Sequence, residues 1–236
     1  MKTIFVTEAS QKIGGGHAMR CLTLAGALRR KGTDVSFIVN DEASRFAPAL
    51  ARSDFPIETV TSVEDAARAA TRREGVDVVV CDSYAISAPL ERLFRPTARK
   101  IVMIDDLADR QHDCDLLLDT TYGRSAADYR GLVPGGAIVL AGARFALLRP
   151  EFAALRDASL ARRAAGGKAQ NVLVSLGLTD VGGITGRVAA ALLSLPLSLR
   201  FDVVVGPDAE SRPLLETYAA RDPRLQRGSD HLSRQP

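Results

Sequence analysis

The residues with the most chemical potential stand in "QKIGGGHAMRCLTLAGALRRKG", from Gln11 to Gly32. Gly14, Gly15 and Gly16 precede His17, and Arg20 follows three residues later. Glycines at such a place allow positive φ and close backbone approach. A histidine and an arginine three apart share one face at the start of a helix. The positive end of a helix disfavours an imidazolium, so His17 reads as a neutral ring able to accept a proton near neutral pH. The alternative is a capping histidine beside a tight turn. A dinucleotide fingerprint is poorly supported, because position 19 is Met where GxGxxG needs its third glycine.

Two acidic clusters follow apolar runs. "VVVCDSY" presents Asp82 and Tyr84, and "IVMIDDLADRQHDCDLLLD" presents Asp105 and Asp106. Carboxylates at the carboxyl ends of parallel strands face the crevice where open α/β sheets bind ligands. Asp also caps helices and forms turns, and that reading weighs at least equally for Asp106 and Asp109. His112 and Cys114 have the look of a metal pair, but without partner spacing they read as structural. A third stretch, "VSLGLTDVGGIT", places Gly177 after a strand, with Gly182 and Gly183 before a helix. Its amides and the helix dipole could hold a diphosphate, or Thr179 and Asp180 could simply cap the helix.

The elements that must carry these residues alternate between strand and helix. Thr3 to Val6, "DVSFIV", "PIETV", "VDVVVCD", "KIVMIDD" and "CDLLLD" read as strands. Residues 17–31, 42–51 and 63–74 read as helices. Ala18, Cys21, Leu22, Ala25 and Leu28 form one buried stripe, and Gly32 supplies a stop. The alternation predicts an α/β fold with a parallel sheet covered on both faces. A polar, glycine-broken stretch begins near Ala164. After it "NVLVSLG", "GITGRVAAALLSL", "RFDVVVG" and residues 210–220 open a second cycle. The expected domains are 1–163 and 168–236, both Rossmann-like. The second is expected to be incomplete, because 69 residues fall short of the usual size and "RGSDHLSRQP" has no apolar period.

The composition limits the possible functions. The chain has 236 residues, 46% of them hydrophobic and 25% charged, as in ordinary soluble globular proteins, and its net charge of +3 is small. Its arginines are scattered, which argues against nucleic acid. The first apolar run is too short for a signal peptide or a membrane span. Three separated cysteines favour a reducing cytoplasm over a disulfide framework.

"IGGGHAMRCLTLA", "CDSY", "IDDLADRQHDCDLLLD", "YRGLVPGGAIVLAGARFALLRPEF" and "VSLGLTD" occur in this order. Together they resemble the PseG family, the UDP-sugar hydrolases of pseudaminic acid biosynthesis, over residues 1–206. The resemblance implies a MurG-like GT-B architecture of two Rossmann-like domains. It implies hydrolysis of UDP-2,4-diacetamido-2,4,6-trideoxy-β-L-altropyranose to UDP and free sugar, with inversion and without metal or other cofactor. By the family's GxGH motif, His17 is the general base. Gly14, Gly15, Gly16, Arg20, Asp82, Tyr84, Arg149, Gly177, Thr179 and Asp180 are expected to contact the substrate. Leu178 stands where the family usually has a second glycine. Nothing matches the family's C-terminal glycine–serine loop and glutamate, which predicts weak UDP binding. The expected partners are the UDP-sugar and water, with no stable membrane association and a monomeric state. The alternatives are a GT-B glycosyltransferase using a UDP-sugar and an inactive truncated UDP-sugar-binding fragment.

Overall fold

The computed structural model describes residues 1–227. Contacts group the chain into two units, residues 1–10 with 15–153, and residues 11–14 with the chain from 154 onward. The division falls between Ala153 and Ala154, ahead of the polar stretch expected to mark it.

The first unit is built on seven strands: β1 (Lys2–Thr7), β2 (Asp34–Asn40), β3 (Ile57–Val60), β4 (Val78–Asp82), β5 (Lys100–Ile104), β6 (Leu116–Asp119) and β7 (Ile138–Ala141). They pair in parallel in the order β3-β2-β1-β4-β5-β6-β7. Parallel neighbours need crossovers. Helix α1 (Gly16–Arg30) joins β1 to β2, and α2 (Val63–Thr71) joins β3 to β4.

Alternation along the strands builds two cores. Ile4, Val6, Ile38, Val79 and Cys81 pack with Ala66, Ala67, Ala69 and Ala70 of α2. Phe5, Phe37, Val39 and Val80 pack with Ala18, Cys21 and Ala25 of α1. Both faces of the sheet are therefore apolar, as near-continuous hydrophobic strands require. Leu22 and Leu28 of the expected stripe join this second core as half-buried residues.

Local signals set the ends of the helices. Helix α1 stops in a Schellman motif, with Gly32 at φ +82°. There the Gly32 amide donates to the Arg29 carbonyl (2.9 Å) and the Thr33 amide to the Leu28 carbonyl (3.1 Å). Ser62 caps α2 by accepting the Asp65 amide at 3.0 Å, an interaction typically worth about 1 kcal/mol. Helix α2 ends at Thr71, three residues short of the expected Glu74. The single helix expected over 42–51 is two short ones, Ala43–Phe46 and Pro48–Ala51. Pro48 has no amide hydrogen and pushes Ala47 out of the helical region, to φ −130°, ψ 62°.

The second unit holds β8 (Asn171–Val174), β9 (Arg200–Val203) and β10 (Leu225–Arg227), parallel in the order β10-β9-β8. Its helices are α3 (Arg156–Ala164), α4 (Ile184–Ser194) and α5 (Arg212–Arg221). Val174, Ala189, Phe201, Val203, Leu215 and Leu225 make its core. Neither β7 nor β10 is among the strands expected from the sequence. The reading of "RGSDHLSRQP" falls almost entirely outside the described residues. Among the described residues no helix is long and apolar enough to cross a membrane.

Candidate active site

The order β1-β4 sets the site. Asp82, the last residue of β4, comes level with Thr7, the last of β1. Helix α1 begins nine residues beyond Thr7, so its first turn lies over the Asp82 carboxylate. Asp82 Oδ1 lies 2.5 Å from His17 Nδ1. Arg20 grips the same carboxylate with both arms, Nε to Oδ2 and Nη2 to Oδ1, each at 2.6 Å. The Cys21 thiol donates to Oδ2 at 3.4 Å. Asp82 is 0% exposed, and these partners take up both of its oxygens. It was expected to contact substrate. The structure instead sets it behind His17 as an orienting group.

This geometry fixes the tautomer of His17. A bare ring nitrogen facing a carboxylate oxygen at 2.5 Å would be repelled, so Nδ1 carries the hydrogen and donates it to Asp82. Arg20 Nη2, 3.1 Å from Nδ1, is then a neighbour whose hydrogen goes to Asp82. The contact is the same for a neutral ring and an imidazolium; in the neutral ring Nε2 is the nitrogen able to accept a proton.

Arg20 also reaches Asp106, Nη1 to Oδ2 at 2.8 Å. Burial works against its charge, but Asp82 and Asp106 outweigh burial and hold the guanidinium ionised. Burial, reinforced by Asp82, pushes the Cys21 thiol well up, so it stays protonated. Tyr84 packs edge-on against the His17 ring, with centroids 4.5 Å apart and planes at 88°. Burial, with Asp106 nearby, raises its hydroxyl. Tyr84 is 41% exposed while His17 is only 5% exposed. The imidazole is thus largely covered, and the more accessible Tyr84 ring forms part of its cover.

The glycines divide the work. Gly14 has φ +73°. A Cβ on Gly15, the residue before α1, would sit 2.3 Å from the Phe46 carbonyl oxygen, whereas Gly16 has open space around it. Close approach is therefore real at Gly15. Arg149 is exposed, lies over the Phe152 ring at 5.5 Å, and joins no hydrogen bond around His17 among the described residues.

In the second unit the loop after β8 departs from its expected role. Asp180 is 1% exposed, and its two oxygens accept the amides of Thr185 (2.8 Å) and Ser211 (2.9 Å). Ser211 Oγ accepts the Gly186 amide at 2.9 Å. Two amides of the first turn of α4 are thus already paired within the protein. Asp180 acts as the capping group, not as an exposed ligand. Burial resists its ionisation, but these hydrogen bonds lower it below the usual carboxylate range. Gly177, at φ +117°, is exposed together with Ser175, Leu176 and Leu178, and Thr179 is half-buried.

The other acidic cluster is structural. Asp105 is only 2% exposed. Its Oδ2 accepts the Tyr129 hydroxyl (3.0 Å) and the Ala108 amide (2.9 Å), and its Oδ1 lies 2.8 Å from Arg110 Nη1. His112 bonds Glu91 through Nδ1 at 2.6 Å, and its Nε2 lies 3.8 Å from Asp105. Asp109 is exposed beside Arg110. Sequence reasoning underrated Asp106, whose signal was its place just past a strand end. It missed Glu8, Asn40 and Ser83, which extend the strand alternation by one more step.

No family model matches the chain. It is 29% identical over 193 residues to the UDP-2,4-diacetamido-2,4,6-trideoxy-beta-L-altropyranose hydrolase of Campylobacter jejuni, covering 81% of this chain and 66% of that one. It is 22% identical over 228 residues to an uncharacterized protein of Methanocaldococcus jannaschii, covering 94% of this chain and 47% of that protein. The chain thus spans about two thirds and about half the lengths of these relatives. The crystal structure of Acinetobacter baumannii MurG superposes with a TM-score of 0.56 at 15% identity, over 97% of this chain and 67% of that one. The α/β, GT-B-like fold read from the motifs is borne out, and so is the resemblance to the altropyranose hydrolase family.

Proposed function

We propose that this chain, a relative of the UDP-sugar hydrolases of pseudaminic acid biosynthesis, hydrolyses UDP-2,4-diacetamido-2,4,6-trideoxy-β-L-altropyranose to UDP and the free sugar. It acts in the cytoplasm as a monomer, without metal or other cofactor. The domain of residues 1–163 supplies the base. The domain from 168 onward receives the nucleotide, with the exposed loop at Gly177 and Thr179 meeting the diphosphate.

His17 Nε2 takes a proton from water. The water oxygen attacks the anomeric carbon from the face opposite UDP, and the bond from that carbon to the phosphate oxygen breaks with inversion. UDP departs as a stable anion, so no strong general acid is needed. Asp82 accepts the Nδ1 hydrogen throughout and stabilises the imidazolium that forms. Arg20 holds Asp82, and Asp106 holds Arg20.

The observation that carries this reading is the 2.5 Å contact from Nδ1 to a fully buried carboxylate. A buried Asp–His pair at the tip of a central strand is how a protein keeps one ring nitrogen free to take a proton. The test is UDP release from the altropyranose substrate. His17→Ala and His17→Asn are expected to abolish it while leaving the circular dichroism spectrum unchanged. Undiminished release by either variant would remove His17 from the role.

A further inference from the structure

Two adjacent carboxylates run on from the end of β5, and neighbours along an extended chain face opposite ways. Asp106 meets Arg20 of α1, which holds Asp82 and so His17. Asp105 turns toward the core beneath α2, where the buried Tyr129 hydroxyl lies 3.0 Å from its Oδ2. The chain then bends at Asp106 and Leu107. The Ala108 amide donates to Asp105 Oδ2 at 2.9 Å, and Ala108 takes φ +54°. A residue with a Cβ enters that left-handed region at a cost, and it stays there only where its surroundings hold it. The bend therefore needs a clamp, and its direction decides whether Asp106 reaches Arg20.

Arg124 is placed to be that clamp. Its Nη2 donates to the Asp106 carbonyl at 2.9 Å and lies 3.4 Å from the Leu107 carbonyl. Its Nε lies 2.8 Å from Oδ2 of Asp119, the last residue of β6 and 0% exposed. Ile104 pairs with Leu118, so Asp105 and Asp119 stand side by side at the tips of β5 and β6. The Tyr129 hydroxyl bridges them, 2.9 Å from Asp119 Oδ2. A turn sets Arg124 in place: Asp119 Oδ1 accepts the Thr121 amide at 2.8 Å, and the Thr121 carbonyl accepts the Arg124 amide at 3.2 Å. A guanidinium presents its donors in a rigid fork, so Nε can meet the carboxylate while Nη2 holds the bend. An ammonium can neutralise the carboxylate but has no such fork. The reach of Arg124 to His17 runs through Asp106, Arg20 and Asp82, one contact at a time.

We infer that Arg124 is a positioning residue for His17. By fixing the bend after β5 it aims the Asp106 carboxylate at Arg20, and through Arg20 and Asp82 it holds the imidazole in one orientation. For its effect on turnover the inference rests on the base role proposed above; its effect on the ring does not. Arg124→Lys tests it, because the lysine still neutralises Asp119 but cannot also grip the Asp106 and Leu107 carbonyls. Thermal stability should stay close to wild type. The kcat for UDP release should fall about 10- to 100-fold, as small misplacements of reacting groups do, with KM unchanged. The ¹⁵N NMR shifts of the His17 ring should move from the values of a single tautomer toward the average of the two. Arg95→Gln is the control. It removes a comparable ion pair, with Asp113 and Asp115 ahead of β6, and should lower stability while leaving the ring shifts and kcat as they are. The ring measurement needs no substrate, so it decides the positioning role even if the wild-type protein releases no UDP. Unchanged ring shifts in Arg124→Lys, or equal changes in Arg95→Gln, would overturn the inference.

Discussion

Asp82→Asn is the sharpest probe of the site. The substitution preserves shape but replaces one carboxylate oxygen with an NH2 group. Two neighbours, His17 Nδ1 at 2.5 Å and the Arg20 guanidinium at 2.6 Å, both present hydrogens to that position. An asparagine cannot accept from both sides. Arg20 meets both oxygens and so loses one contact whichever way the amide turns; with the NH2 group in the Oδ1 place it faces His17, whose ring can move its hydrogen where a guanidinium cannot. Nδ1 then becomes an acceptor, the ring hydrogen moves to Nε2, and the nitrogen that should receive a proton from water is blocked. General-base catalysis contributes about 100- to 10,000-fold. The turnover number should fall by that factor, with the substrate KM nearly unchanged. Stability should also fall. Breaking a buried ion pair by removing one partner costs about 3–5 kcal/mol, and the lower end applies here because Asp106 still holds Arg20 at 2.8 Å. The assays are steady-state UDP release and ¹⁵N NMR of the imidazole. Wild type should show a hydrogen on Nδ1, and the variant should show it on Nε2. Wild-type turnover in Asp82→Asn, or a wild-type ring protonated on Nε2, would refute the reasoning.

Two further predictions concern stability. Burial disfavours the His112 imidazolium, but Asp105 and Glu91 outweigh burial and lift it from 6.5 to about 9. A raised value means that the folded state holds the proton more tightly, so the contribution is complete below pH 6.5 and is lost as pH rises through 9. The shift corresponds to about 3 kcal/mol. Urea midpoints should therefore fall between pH 6.5 and 9.5, and the part of that fall due to His112 should vanish in His112→Gln; an identical pH dependence in the variant would contradict the assignment. Gly15→Ala should lower thermal stability, because its Cβ would lie 2.3 Å from the Phe46 carbonyl, whereas Gly16→Ala should be neutral or raise stability by up to about 1 kcal/mol. Equal melting temperatures for the two variants would contradict the packing at Gly15.

The chain itself determined a good deal. Uninterrupted apolar runs such as Val78–Cys81 and the glycine stop at Gly32 depend on local chemistry, so the alternating strands, the span of α1 and the placing of His17 at its start were legible. Short elements were not. Ile138–Ala141 is a four-residue strand bracketed by Gly and Ala, and it pairs only because β6 is already there. What tertiary structure alone decided is the company each polar residue keeps. His17 and Asp82 are 65 residues apart, and Arg20 and Asp106 are 86 apart. Only the placing of β4 beside β1 joins them. The same Asp residue type caps a helix at Asp180, locks a buried network at Asp105 and orients a histidine at Asp82. Its spacing along the chain is silent on which, because that depends on the burial and the donors that the fold brings to each carboxylate.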